Sequence, residues 1–238
     1  MGKAADTAPR SILFIGNSFT ARNDLPGLIA QLAAARSKRI SHRLISAGGA
    51  SLRMHWNKGE AAKAIQDGHY DCVVLQEQST LPLKNAKRMH ENVRLFDEAI
   101  KTAGAKTVLY LSWARRHAPE SQAAITAAYT TIGQELGATV VPVGITWQAF
   151  LREHDLPLPV PRERGGVRVV LHAPDDSHPT LAGSYLAACT FFAVLFRESP
   201  VGIDDGVVGL TDQDRNLLQE TAWQVCKEGS GMLSRIVQ

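Results

Sequence analysis

Short apolar runs alternate with amphipathic stretches along most of this chain, and that alternation limits the fold more than any other property of the sequence. Residues 11–15, 43–47, 72–76, 107–111 and 139–143 are mostly apolar windows bounded by polar residues or glycine, the pattern of buried strands. Between them, residues 25–36, 59–67, 87–103 and 120–136 carry apolar side chains at three- and four-residue spacing, which predicts helices. A strand can return to a parallel neighbour only through a crossover, and a helix is the usual one. The expected fold class is therefore α/β, a five-stranded parallel sheet with helices on both faces.

Helix punctuation agrees with these boundaries. Asp24 stands before Leu25-Pro26 as an N-cap with proline in the first turn, and Gly104 and Gly137 follow two of the helices as stops. Residues 155–174 break the pattern with a proline- and arginine-rich connection around Gly165-Gly166, after which 167–171 reads as a short strand. A loop of that length is expected to form a wall of a site. Residues 180–196 are apolar almost all round, which predicts a buried helix. A last helix over 211–227 has Thr211 as N-cap with Asp214 three residues on. No repeat or linker divides the chain, so one domain is expected across 1–238, with a flexible polar start at 1–10.

Composition excludes several function classes. A net charge of +3 over 238 residues is spread thinly, and the basic clusters at Arg115-Arg116 and 162–168 are too short for a nucleic-acid arm, so no nucleic-acid partner is expected. Of three cysteines, Cys72 and Cys189 fall inside apolar runs and read as buried thiols rather than a disulfide framework. No cysteine or histidine pair has metal-ligand spacing, and His172 with His178 is too sparse a set for zinc, so neither metal nor cofactor is expected. No stretch approaches the ~18 apolar residues of a membrane span. The N-terminus lacks the apolar core of a signal peptide, so the sequence as written reads as soluble and cytoplasmic, or exported if a leader has been removed. It sets no oligomeric state.

In an open parallel sheet ligands bind beyond the carboxyl ends of the strands. Ser18, Gly48-Gly49, residues 76–79 and Ser112-Trp113 all follow expected strands, so four segments converge on that edge. Ser18 sits in Gly16-Asn17-Ser18-Phe19-Thr20, where a strand hands over to a helix. Far along the chain, Asp175-Asp176-Ser177-His178-Pro179 places a carboxylate and an imidazole three residues apart. A serine hydroxyl needs a base to remove its proton, and a histidine does so when a carboxylate holds its other nitrogen. His178 is the natural base and Asp175 its orienting carboxylate, with Asp176 the competing choice. An attacked carbonyl also needs preorganised donors. The Ser18 and Gly49 backbone N–H groups and the Gln78 side-chain amide are candidates.

Each feature has a plainer reading. Ser18, Asp175 and Ser177 could serve only as helix caps, and Gly48-Gly49 only as a turn. Gln76, Glu77 and Gln78 are long polar groups directly after a buried strand, and they either line a site or bond neighbouring loops. Trp113 and Trp56 either stack on a sugar or pack. His55, His117 and Trp147 read as structural or surface residues. The two motifs together, in the order and context that nucleophilic catalysis requires, favour the catalytic reading.

With these residues in view, the chain resembles the SGNH hydrolases of the GDSL esterase superfamily, in the branch whose first block reads Gly-Asn-Ser-Phe, over residues 11 to about 196. The resemblance implies Ser18 as nucleophile and Asp175 and His178 from the last-block Asp-x-x-His. It implies the second-block glycine at Gly49 with a gap, Ser51 being the ungapped alternative. The third-block Gly-x-Asn-Asp is absent; Leu75-Gln76-Glu77-Gln78-Ser79 stands there, and Gln78 takes the asparagine's role. Asn17 replaces the first-block aspartate. The fold implied is a flavodoxin-like three-layer α/β/α sandwich. The activity implied is a short-chain acyl esterase, most simply an acetylesterase on a carbohydrate or small ester. Two alternatives remain: a carbohydrate O-acyltransferase with the same triad, and a non-catalytic binding module on a hydrolase fold.

Overall fold

The computed structural model describes residues 11–154 and 169–235. In chain order the elements are β1 (Ser11–Gly16), α1 (Ser18–Ala21), α2 (Leu25–Ala35), β2 (Ser41–Ser46), α3 (Leu52–Lys58), α4 (Glu60–Asp67), β3 (Cys72–Leu75), α5 (Leu81–Lys84), α6 (Ala86–Thr102), β4 (Lys106–Tyr110), α7 (Gln122–Leu136), β5 (Thr139–Val141), α8 (Val143–His154), α9 (Leu181–Phe196) and α10 (Asp212–Arg235). The five strands form one sheet in the order β2-β1-β3-β4-β5, every pairing parallel, which is the flavodoxin-like order.

Alternation along each strand sends side chains to two cores. Ile12 and Phe14 of β1, Cys72 and Val74 of β3, and Val108 and Tyr110 of β4 face a layer that includes Leu28 and Leu32 of α2, Trp147 and Phe150 of α8, Phe191 of α9 and Leu218 of α10. Leu13 and Ile15, Val73 and Leu75, and Leu109 face the other layer, with Leu52 of α3, Ile65 of α4, Phe96 of α6 and Ile132 of α7. Because β1, β3 and β4 are apolar on both faces, they can sit only at the centre of a three-layer structure. The edge strand β2 differs from the expected buried run: Ile45 is its one buried residue, and its other side chains are exposed or half-buried.

The helix ends form as their sequences dictate. Asp24 caps α2 by accepting from Gly27 N–H, and Gly137 closes α7 at φ 63°. Thr211 and Asp214 cap α10 reciprocally, at 3.1 and 3.3 Å. All three cysteines are buried thiols outside any disulfide.

Two helices longer than four residues were not foreseen. The sequence reading carried the fifth strand to Val143, but β5 stops at Val141, and Val143 instead begins α8, whose buried Val143, Trp147 and Phe150 repeat at helical spacing. Ser51 caps a further helix, α3, by accepting from Met54 N–H. Of the strand expected over 167–171, the described part, 169–171, is no strand; the only pairing there is one antiparallel bridge, His172 to Pro179. The basic cluster at 162–168, most of the expected wall loop and the polar start at 1–10 lie outside the described residues.

The register brings the carboxyl ends together. Gly16 pairs with Ser46, Ile15 with Leu75, and Leu75 with Leu109. The chain leaves β1 toward β2 on one side and reaches β3 on the other, so the topological switch lies between β1 and β3, where a ligand crevice is expected. Ser18 follows β1 and residues 76–78 follow β3 at that point.

Candidate active site

The turn after β1 is fixed from below. A Cβ at Gly16 would lie 2.6 Å from Thr20 Oγ1 and 2.7 Å from Gln76 Oε1, so the position has room only for glycine. Gln76 Oε1 accepts from Asn17 N–H at 2.9 Å and from the Thr20 hydroxyl at 3.0 Å. The Asn17 side chain accepts from Phe19 N–H at 3.1 Å and donates to Ala50 O at 3.1 Å, joining the first loop to the second. Gly16 O receives the buried His55 Nε2 at 2.7 Å. A carbonyl can only accept, so Nε2 carries the proton, and burial lowers the pKa of this imidazole, favouring its neutral form.

Ser18, held by this turn, points its hydroxyl at the last loop. Its Oγ lies 2.8 Å from His178 Nε2, and His178 Nδ1 lies 2.5 Å from Asp175 Oδ2. The carboxylate can only accept, so Nδ1 holds the proton and the Nε2 lone pair faces the serine hydroxyl. Asp175 Oδ1 also accepts from His178 N–H at 2.9 Å and Ser177 N–H at 3.1 Å. The His178 N–H, followed by the imidazole, holds the Asp175 carboxyl well below the usual carboxylate range, so it stays anionic. Asp176 sits at φ 57°, its N–H bonded to Ala173 O and its own carbonyl accepting from Arg116 N–H; its carboxylate makes no hydrogen bond to His178.

The loop carrying Asp175 and His178 is held on three sides. Ala173 N–H donates to His178 O at 2.7 Å and Thr180 N–H to Leu171 O at 2.9 Å, around the His172–Pro179 bridge. Asn23, itself at φ 56°, donates to Thr180 O at 3.0 Å and Ser184 Oγ at 2.9 Å, tying the segment after Ser18 to the segment after His178. Trp113 Nε1–H donates to Ser177 O at 2.9 Å, and its ring is sandwiched between Phe19 at 4.5 Å and Trp147 at 3.8 Å. Replacing Trp113 by phenylalanine keeps the stack and removes the hydrogen bond. Trp113→Phe is expected to lower kcat about three- to thirtyfold and stability by about 1–2 kcal/mol, the cost of one unpaired buried carbonyl, measured by ester turnover and denaturant unfolding.

The oxyanion candidates emerge from three different loops. Ser18 N–H opens α1 and has no hydrogen-bond partner among the described residues. Gly49 is exposed at φ 66°, with open space on its Cβ side. Gln78 is half-buried; its Oε1 accepts from Thr80 N–H at 2.9 Å and the Thr80 hydroxyl at 3.0 Å, which turns the amide so that its NH2 end is the remaining donor. Ser51 is occupied as a helix cap.

Gln76 and Glu77, expected among the lining residues, are fully buried and lie beneath the site. Glu77 Oε1 accepts from Leu52 N–H at 2.9 Å and Gln78 N–H at 2.7 Å, and Oε2 accepts from Asn92 Nδ2 at 2.9 Å. Trp113 is also almost wholly buried, but it forms one wall of a cavity of about 490 Å3 rimmed by Arg115, Arg116, Gln148 and Arg152. Trp56 packs edge-on against Phe96 at 5.1 Å. Sequence reasoning missed Asn23 and Asn92 and left His55 unassigned. Asn92 carried a signal, being polar on the face of α6 that buries Met89, Val93 and Phe96. Among the described residues no three His, Cys, Asp or Glu side chains gather as a metal site, and no helix is long and apolar enough to cross a membrane.

No protein-family model matches the sequence, and no curated protein matches it. Solved structures do. A protein from Slackia heliotrinireducens assigned to the SGNH hydrolases is 26% identical with a TM-score of 0.64, over 78% of this chain and 98% of that one. A DUF4886 family protein from Bacteroides uniformis is 18% identical with a TM-score of 0.68, over 91% and 94%. An acetylxylan esterase from Geobacillus stearothermophilus is 16% identical with a TM-score of 0.57, over 78% and 94%. The parallel sheet in this order and the likeness to the Slackia protein give the chain the fold of the SGNH hydrolases, a superfamily of serine ester hydrolases.

Proposed function

We propose that the protein cleaves short acyl esters, acetyl esters of carbohydrates in the first instance, through an acyl-enzyme on Ser18. The observation that carries this reading is the unbroken hydrogen-bond chain Ser18 Oγ to His178 Nε2 and Nδ1 to Asp175. Ser18 attacks the ester carbonyl as His178 takes its proton. The negative charge on the carbonyl oxygen is met by the Ser18 and Gly49 N–H groups and the Gln78 amide, and protonated His178 delivers its proton to the departing alcohol. Water, activated by the same imidazole, then releases the acid.

The acetyl-carbohydrate preference draws support from the acetylxylan esterase of the same fold and from the arginine- and glutamine-rimmed cavity beside the His178 loop, a polar surrounding for a leaving group. Initial rates on p-nitrophenyl acetate, butyrate and octanoate, together with acetate release from acetylated xylo-oligosaccharides, test it. Acetate is expected to be cleaved at least about tenfold faster than octanoate by kcat/KM. Equal or faster octanoate cleavage would overturn the short-acyl reading. Recovery of a newly acylated sugar in place of free acetate would identify an acyltransferase.

A further inference from the structure

Glu77 is a fully buried carboxylate that makes no direct ion pair among the described residues, where an apolar side chain would fill the space at less cost. Its bonds explain its presence. One oxygen, Oε1, accepts two backbone N–H groups from different loops: Leu52, three residues after Gly49, and Gln78. The other, Oε2, accepts from Asn92 on α6, whose own Oδ1 accepts from Arg53 Nε at 3.0 Å. All three donors need an acceptor, and only a carboxylate presents acceptors on both oxygens.

We propose that Glu77 is the positioning residue of the oxyanion hole, its carboxylate setting the distance between the loop that carries Gly49 and the loop that carries Gln78. The proposal rests on the Ser18 reading above. Gln76 does the corresponding work for the first loop through Asn17 and Thr20, so residues 76 and 77 together form a post from which all three oxyanion donors hang. Burial pushes the Glu77 carboxyl above the usual range, and the Asn92, Gln78 and Leu52 donors and the Arg53 charge offset part of that rise.

The pattern of donors makes the test specific. In Glu77→Gln, an amide oxygen kept on Leu52 and Gln78 turns its NH2 toward Asn92 Nδ2, donor against donor. Rotating Asn92 only moves the conflict to Arg53 Nε. In the double variant Glu77→Gln/Asn92→Asp the carboxylate moves to position 92, where it accepts from the amide at 77 and from Arg53, and every donor is again satisfied.

The experiment measures kcat and KM for p-nitrophenyl acetate in wild type, Ser18→Ala, Glu77→Gln and the double variant, with thermal unfolding of each. Glu77→Gln is expected to lower kcat about 10- to 100-fold with KM within about twofold, and the double variant to return to within about fivefold of wild type. Wild-type kcat in Glu77→Gln overturns the proposal, as does a folded double variant that keeps the single variant's low kcat. Loss of the fold in both variants also overturns it, since Glu77 would then serve folding and not the site. If the single variant alone unfolds, a folded, active double variant supports the proposal. A Ser18→Ala enzyme that keeps wild-type turnover would remove the underlying reading, a failure that is separate from any result at Glu77.

Discussion

Replacing Ser18 by alanine is expected to abolish ester hydrolysis, with kcat falling on the order of a thousandfold or more and stability changing by about 1 kcal/mol or less. The size follows from what the hydroxyl does. In the proposed mechanism it is the atom that bonds to the acyl carbon, and among the described residues no second hydroxyl or thiol bonds His178 Nε2, which lies 2.8 Å from Ser18 Oγ. The small stability change follows from its half-buried position, where it contributes one side-chain hydrogen bond and little packing. Side-by-side rates on p-nitrophenyl acetate and denaturant midpoints for the two proteins read both quantities. A variant that is inactive because it is unfolded would show itself in the midpoint.

Asp175→Asn is expected to produce the second largest loss, about 1000- to 10,000-fold in kcat, with the fold intact. An asparagine at 175 can present its NH2 to His178 Nδ1, which then becomes the acceptor and forces the proton onto Nε2. The imidazole would face Ser18 with a donor where it needs a lone pair. In the wild type the Asp175 carboxyl is held well below the usual carboxylate range, so the imidazole always faces an anion there. Wild-type kcat on p-nitrophenyl acetate in Asp175→Asn would mean that another group orients the imidazole.

The sheet was legible because its central strands are apolar on both faces and its helices carry clear stops. The unforeseen α8 lies where a strand-like Thr-Val-Val run passes directly into a helix across Pro142, so the two patterns overlap and the apolar run reads too long. Edge strand β2 was found with its exposure misjudged, because burial depends on which neighbours a strand acquires, and sequence order does not state that. In the site, Ser18, Asp175 and His178 could be singled out because reactive residue types stand in a fixed order beside strand and helix boundaries. Spacing favoured Asp175 but left Asp176 as a competitor, because what sets them apart is a left-handed backbone conformation at Asp176 that leaves Asp175 facing the imidazole. Gln76 and Glu77 were flagged as polar groups needing partners, but whether such groups face the ligand or the loops beneath it depends on contacts with Asn17, Leu52 and Asn92, residues far apart in the chain.

The most direct test of the central claim, that Ser18 is the nucleophile of a Ser18–His178–Asp175 unit, is covalent labelling with diethyl p-nitrophenyl phosphate, followed by intact mass and peptide mapping. A serine activated by its histidine should take up one diethylphosphoryl group per chain on the Ser18 peptide, lose ester hydrolysis in step with labelling, and react far more slowly in His178→Ala. An enzyme that hydrolyses p-nitrophenyl acetate yet is labelled at another residue, or is labelled at Ser18 just as fast without His178, would contradict the account.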